Sequence, residues 1–329
     1  MPAFREYADY MRQYFCMKVQ KIPVNAGCTC PNRDGTIGRS GCVYCNNRSF
    51  SPAYGRGGLG VTQQLEAGKR FYAHKYPAMK YLAYFQSHTN TYGDESRLIQ
   101  MYDEALAVSH VVGLVVATRP DCMSESLLDY FAQVARRRYV CIEYGVESVN
   151  DSTLRRIRRG HDVACAADAI RRTAARQIQV GVHFILGLPG DARADWLQQA
   201  RWVSDLPVNL LKLHQLQVIR DTPLAAEFRR NPSAVTLFSA EAYVALVAEY
   251  LEHLSPHVVV ERFTSQAPPV WVLAPRWGLK NGAFVSLLRA HMRERHAWQG
   301  RCCQSGRAAA VESADNSQNY VEQQRMRQV

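Results

Sequence analysis

From Val19 to Gln217 the chain alternates short apolar, β-branched runs with longer amphipathic stretches, a pattern that predicts β/α units around a parallel sheet. Six strands are expected: Lys21 to Val24, Tyr81 to Gln86, Leu114 to Thr118, Tyr139 to Gly145, Val180 to Leu186 and Leu210 to Gln217. Helices are expected near Thr62 to His74, Glu95 to Val108, Ser124 to Ala135, Ser152 to Ile157, Val163 to Ala175 and Ala194 to Ser204. The expected fold class is therefore α/β, a partial (β/α)6 barrel of the TIM type. Such a barrel gathers chemistry at the carboxyl ends of its strands, where the βα loops meet. Polar residues do collect there, at Asn25 onward, Gln86 to Asn90, Thr118 to Asp121, Glu143 to Glu147, Gly187 to Gly190 and Gln215 to Gln217. Gly-Leu-Pro-Gly and Thr-Arg-Pro-Asp are also strong turn formers, so each cluster alone could be turn chemistry. Together they point to one shared site.

Beyond about Asp221 the alternation gives way to a helix around Ser239 to Leu254, a short run Val258 to Val260 and the segment Leu273 to Lys280. The organisation expected is an amino-terminal segment (1–19), a core (20–220), a smaller carboxyl-terminal extension packed over the barrel's open side (221–300) and a polar, disordered tail (301–329). The apolar runs are of strand length, far short of the roughly 20 residues that span a bilayer, and the amino terminus lacks a basic region followed by an apolar core. A cytoplasmic protein with no membrane association is expected. The net charge of +11 comes from 40 basic against 29 acidic residues. The bases are mainly arginine, concentrated at Arg136 to Arg138, Arg155 to Arg159 and Arg171 to Arg176. This favours a polyanionic partner, because arginine's planar fork suits phosphate, although a solvated arginine-rich surface gives the same composition.

Ten cysteines in a cytosolic chain of this size indicate metal or redox chemistry rather than a disulfide framework. Four fall close together. Cys28 and Cys30 precede an eleven-residue interval to Cys42, and two residues separate Cys42 from Cys45. Three thiolates, Cys30, Cys42 and Cys45, leave one corner of a four-iron cube unclaimed by protein, and an open metal position can bind and orient a substrate. The rival arrangement adds Cys28 as a fourth ligand to make a closed structural zinc site, in a zinc-stabilised nucleic-acid-binding protein. Cys28-x-Cys30 is a poor half-site for it, since structural zinc ligands usually stand two to four residues apart.

The loop Cys30-Pro31-Asn32-Arg33-Asp34-Gly35-Thr36 through Gly41-Cys42-Val43-Tyr44-Cys45 resembles that of radical S-adenosylmethionine (SAM) enzymes. The commonest form of that loop has three residues between the first two cysteines, and the longer interval is shared by a YhcC-like branch and by the elongator catalytic subunit. Thr118-Arg119-Pro120-Asp121 is similar to the elongator-like third-strand motif. Glu143-Tyr144-Gly145-Val146-Glu147-Ser148, with Leu154 and Arg159-Gly160-His161, resembles the fourth-strand motif of elongator-like proteins, methylthiotransferases and oxygen-independent coproporphyrinogen oxidases. Phe184 to Gly190 resembles their fifth-strand motif, and Leu273 to Lys280 the YhcC-like carboxyl end.

The resemblance implies a radical SAM barrel in which Cys30, Cys42 and Cys45 hold a 4Fe-4S cluster, with SAM chelating the fourth iron. One electron, from a reductant such as flavodoxin or ferredoxin, then cleaves SAM to methionine and a 5'-deoxyadenosyl radical. It implies that Tyr44 lies beside adenine, or merely packs the loop, and that Ser87, Thr89 and Asn90 stand where relatives contact the SAM amino group, the usual Gly-Gly-Glu being missing. Glu147 would accept hydrogen bonds from SAM ribose or amine, or else pair with an arginine such as Arg119. Gly187 and Gly190 would let the backbone approach adenine. The expected substrate is RNA, specifically tRNA modified at a wobble uridine, on the strength of the basic charge and the elongator-like motifs. No RRM or KH signature is evident, so contact would use the barrel rim and the extension, with Trp271, Trp277 and Arg276 either stacking on RNA or closing the core. A radical SAM oxidoreductase acting on a small metabolite is the alternative.

Overall fold

The computed structural model describes residues 3–49, 58–73, 79–265 and 267–303. The strands are β1 (Val19–Val24), β2 (Lys80–Phe85), β3 (Val111–Thr118), β4 (Tyr139–Glu147), β5 (Gln179–Leu186), β6 (Leu210–Gln215), β7 (Val218–Ile219), β8 (Val259–Arg262) and β9 (Val272–Ala274). The helices are α1 (Tyr7–Tyr14), α2 (Val61–Ala73), α3 (Glu95–Ala107), α4 (Glu125–Ala135), α5 (Asp151–Arg156), α6 (Val163–Ala175), α7 (Arg193–Ser204), α8 (Pro223–Arg230), α9 (Ala240–His253) and α10 (Asn281–Glu294). Seven strands form one sheet in the order β1-β2-β3-β4-β5-β6-β8, and every neighbouring pair is parallel. This is the expected α/β architecture, a curled part-barrel with its helices outside. Strands β7 and β9 pair antiparallel as a separate ribbon.

All six expected strands are present, and β8 is a seventh. It hides in the sequence because the chain leaves β6 through β7 and α8 before α9 returns it to the sheet, and because β8 is four residues long and half charged. The segment after Asp221 thus adds a strand and helix to the barrel. The helix end expected at His74 and all of the tail beyond Cys303 lie outside the described residues. Side-chain caps fix several helix starts, with Asp94, Ser124, Asn150, Asp162 and Ser239 each accepting an early backbone N–H. Among the described residues no helix is long and apolar enough to cross a membrane.

Alternation along the strands divides the two faces. Val140, Ile142, Tyr144 and Val146 of β4 pack outward into the core beneath the helices, while Tyr139 and Cys141 face inward. Those inward residues, with Leu82, Tyr84, Val115, Leu210 and Val259, pack against Tyr10, Met11, Tyr14 and Phe15 of α1 and its end. Helix α1 therefore plugs the amino-terminal end of the barrel. An isolated bridge between Glu6 and Val260 ties this segment to β8.

Above the plug lies a layer of buried charge. Glu143, 1% exposed, meets Lys21 at 2.9 Å, Lys212 at 2.6 Å and His183 Nε2 at 3.0 Å. Glu261 meets Lys21 at 2.6 Å and Lys212 at 3.3 Å. The Lys21–Glu261 pair joins β1 to β8, the two edge strands of the sheet, and so draws the open barrel together. Burial alone would raise the pKa of Glu143, but Lys21 and Lys212, helped by the His183 hydrogen bond, hold it well below the usual carboxylate value of 4.5.

Replacing Glu143 by Gln leaves two buried lysines to share the single carboxylate of Glu261, a loss of about 3–5 kcal/mol in unfolding free energy for a broken buried pair, to be read by denaturant titration. Because the folded-state pKa of Glu143 is depressed, its contribution is fully present above about pH 4.5 and is lost as pH falls through the folded value. The difference between wild type and Glu143→Gln is therefore expected to shrink on acidification below pH 4.5.

Candidate cofactor site

The loop after β1 explains its own cysteine spacing. Backbone N–H groups of Arg33 and Asp34 donate to Cys30 O, those of Ile37 and Gly38 donate to Pro31 O, and Gly41 N donates to Asn32 O at 2.8 Å. The eleven residues between Cys30 and Cys42 thus close into a ring whose ends meet. The ring sets Cys42 beside Asn32, whose Nδ2 lies 3.3 Å from Cys42 Sγ. A tight turn, Cys45 N to Cys42 O at 3.0 Å, then brings up the third cysteine. Gly41 sits at φ 72°, a left-handed conformation open to glycine, and a Cβ there would stand 3.0 Å from the Arg33 guanidinium. Arg33 in turn donates to Cys45 O at 2.7 Å.

Cys30, Cys42 and Cys45 all line one cavity of about 400 Å³, whose walls are the strand ends. That volume lies in the range of small-molecule and cofactor sites. Burial, and next the adjacent Cys42 thiol, push the Cys45 thiol up to about 11 against the opposing Arg33. Cys28 is not part of this wall. It packs against the outer core, where burial raises its thiol to about 11. Among the described residues no three His, Cys, Asp or Glu side chains converge as the ligands of one metal ion. The donor set suits a multi-iron cluster better than zinc: three sulfurs around a cavity, with N–H donors from Asn32 and Arg159 aimed at Cys42 Sγ.

Of the residues expected to contact SAM, Tyr44, Thr89 and Glu147 line the cavity and Ser87, Asn90, Gly187 and Gly190 do not. Burial, with Glu147 nearby, pushes the Tyr44 hydroxyl well above its usual range, so it stays protonated. Thr89 N donates to Thr29 O, tying the end of β2 to the cysteine loop. Asn90 has a structural task, since its Nδ2 donates to Phe85 O at 3.0 Å and Ala117 O at 2.8 Å and clamps β2 to β3. Ser87 is buried at the same corner. The glycines have other reasons. A Cβ on Gly187 (φ 98°) would meet Phe238 at 3.1 Å, and one on Gly190 (φ 110°) would meet Thr153 Oγ1 at 2.8 Å. Both sit against neighbouring protein rather than the cavity.

Glu147 stands at φ 75°, a strained backbone for a residue with a side chain, just after a register shift between β4 and β5. Its arginine partner is Arg159 at 3.8 Å; Arg119 is instead engaged by Asp121 through Nε and Nη2 at 2.9 and 2.8 Å. Gly145 permits this, because a Cβ there would lie 2.6 Å from Glu147 Oε1 and 2.7 Å from Arg159 Nη2. At the floor, Lys212 Nζ donates to Tyr84 OH at 3.1 Å. His214 and His88, also in the lining, are both held neutral, with burial as the leading cause. His161 is off the lining, and burial lowers it to about 3. The residues missed in the sequence are Asn32, Arg159 and the Glu143–Lys212 floor. Charged residues at inward positions of otherwise apolar strands were the signal for the last of these.

Residues 27–203 match the family model of the radical SAM superfamily, and residues 208–294 match that of the Radical_SAM C-terminal domain. Protein YhcC of Escherichia coli is 35% identical over 274 residues, covering 82% of this chain and 85% of its own. YtqA of Bacillus subtilis is 31% identical over 292 residues, covering 89% and 90%. A tRNA uridine(34) acetyltransferase of Dehalococcoides mccartyi is 27% identical over 173 residues, 52% of this chain and 36% of that protein. Among solved structures, the Elp3 of the archaeon Methanocaldococcus infernus superposes with a TM-score of 0.64 at 16% identity, over 85% of this chain and 64% of that one; this likeness concerns the fold. The part-barrel with its cysteine ring at the strand ends, the two family models and the full-length relatives agree: the chain belongs to the radical SAM superfamily of enzymes, in the branch of YhcC and YtqA.

Proposed function

We propose that Cys30, Cys42 and Cys45 hold a 4Fe-4S cluster, that SAM binds beside it in the strand-end cavity, and that the substrate is RNA, tRNA in particular. The observation that carries the cofactor reading is the convergence of three cysteines from one self-closed loop on a cavity walled by the ends of the strands. When bound, cluster and SAM together supply reductive cleavage of SAM and hydrogen-atom abstraction. The chain supplies the rest. Asn32 and Arg33 fix the cysteine ring, and Arg159 sets a buried cation against Cys42. Tyr44, Thr89 and Glu147 line the wall where adenosine and methionine groups would be oriented. The α1 plug and the ionic layer keep solvent from entering below, which protects a reactive radical from side reactions. A one-electron donor such as flavodoxin or ferredoxin completes the set.

Support for RNA comes from the partial likeness to the tRNA uridine(34) acetyltransferase, the +11 charge and the cavity rim, where Arg48 lies over the Trp271 ring at 4.9 Å. The arginine clusters contribute unevenly. Arg172 and Arg176 are occupied by Glu125, Asp168 and Asp129, and Arg136 to Arg138 follow α4 at the amino-terminal end of the strands, away from the cavity. Trp277 closes the core, packing on Tyr243 and Phe284 and donating to Phe238 O. The enclosed, histidine-lined floor favours a second reading, a radical SAM oxidoreductase for a small metabolite.

Anaerobic reconstitution with iron and sulfide is expected to load about four irons per chain, with Cys30→Ala losing most of the iron and Cys28→Ala keeping it. Equal loss in both variants, with zinc as the retained metal, supports the structural-zinc alternative. Affinity for tRNA is expected to fall at least about tenfold between about 50 and about 200 mM salt, measured by filter binding. Absence of salt-sensitive tRNA binding favours the small-metabolite reading.

A further inference from the structure

Around Cys42 the fold fixes donors that cysteine ligation alone does not require. Cys42 Sγ accepts from Asn32 Nδ2 at 3.3 Å and from Arg159 Nη1 at 3.8 Å. Both donors are buried, 3% and 7% exposed, and both are anchored elsewhere. The Asn32 amide also donates to the carbonyls of Arg158 and Arg159 at 2.9 and 3.0 Å, while Arg159 Nε and Nη2 donate to Gly145 O at 3.2 and 2.5 Å. A third group stands nearby. Arg119 is fully buried and lines the cavity, its Nε and Nη2 are taken by Asp121, and its buried Nη1 has no hydrogen-bond partner. Gly160 lets these groups crowd together, since a Cβ there would lie 2.9 Å from Asn32 Oδ1 and 3.1 Å from Arg119 Nη2.

We propose that Asn32, Arg159 and Arg119 form a donor shell on the Cys30–Cys42 side of the site that raises the reduction potential of the bound cluster; this rests on the reading that Cys30, Cys42 and Cys45 hold a 4Fe-4S cluster. An electron added to such a cluster deepens a buried negative charge. Hydrogen bonds to its sulfurs and nearby cations therefore stabilise the reduced form more than the oxidised one. Asn32 contributes an N–H shared between sulfur and a carbonyl, Arg159 a bond and a charge, and Arg119 a spare donor on a guanidinium whose charge is partly met by Asp121. These are positioning residues for electron transfer.

The test is a redox titration of the anaerobically reconstituted full chain, followed by the electron paramagnetic resonance of the reduced cluster, without substrate. In Arg159→Gln the ratio of reduced to oxidised cluster at a fixed solution potential is expected to fall about tenfold, equivalent to about 59 mV for one electron. Asn32→Ala and Arg119→Gln are expected to lower the same ratio by a few-fold, and Arg159→Lys, which keeps the charge, to lie between wild type and Arg159→Gln. Iron-loaded Arg159→Gln and Asn32→Ala with the wild-type ratio overturn the inference while leaving the cluster reading intact. Should Arg159→Gln retain no iron, Asn32→Ala and Arg119→Gln decide on the same criterion. Loss of iron from Arg159→Gln, Asn32→Ala and Arg119→Gln alike assigns the shell to assembly and overturns the proposal as stated. A wild-type chain that assembles no such cluster overturns both.

Discussion

The ion pairs of Glu143 are the constraint on which the rest of the molecule depends. A seven-stranded parallel sheet that curls without closing has two free edges, and its interior must be filled or it floods. Here the lower interior is filled by the aromatic face of α1, and the upper interior is crossed by Lys21, Glu143, Lys212 and Glu261 from four strands, two of them the edges. Charges so placed are costly to desolvate and are tolerated only when fully paired. Satisfying them requires β1 and β8 to approach, and that approach sets the width of the cavity above. The same layer is the floor on which a substrate would rest.

From that floor upward, polar function becomes progressively less tied to packing. Glu143 and Lys212 hold the barrel. Gly145, two residues further along β4, makes room for Glu147 and Arg159, and the register shift after it skips Val146 and pairs Glu147 with Phe184 at the end of the ladder. The cysteine ring, which bonds mainly to itself, meets this end of β4 through Asn32 and Arg159. The long interval between Cys30 and Cys42 costs the site little, because the ring's own backbone bonds bring its ends together.

Much of this was legible in the sequence, for identifiable reasons. Strand positions followed from β-branched runs, and the three cysteines followed from spacing. The seventh strand was legible only as the short run Val258 to Val260 and was not counted in the sheet, because β8 is short, carries Glu261 and Arg262, and follows a detour through α8. The paired glycines were read as ligand-facing, and in the fold Gly187 and Gly190 leave room for Phe238 and Thr153, contacts set by distant segments. Asn90 was read as a SAM contact, and in the fold its Nδ2 clamps two strands. In each case the residue type was informative about backbone need, and only tertiary neighbours could say which need it was. Arg159 was visible inside a motif but carried no assigned role until its approach to Cys42 was seen.

A cysteine ring that holds a cluster beside SAM supports reductive cleavage of SAM. The most direct measurement is 5'-deoxyadenosine formed by the anaerobically reconstituted chain on addition of SAM and dithionite. Its formation together with methionine is expected, and none when Cys42 is replaced by Ala. A chain that carries a full complement of iron and yet yields no 5'-deoxyadenosine above the protein-free control, with and without RNA, would contradict it.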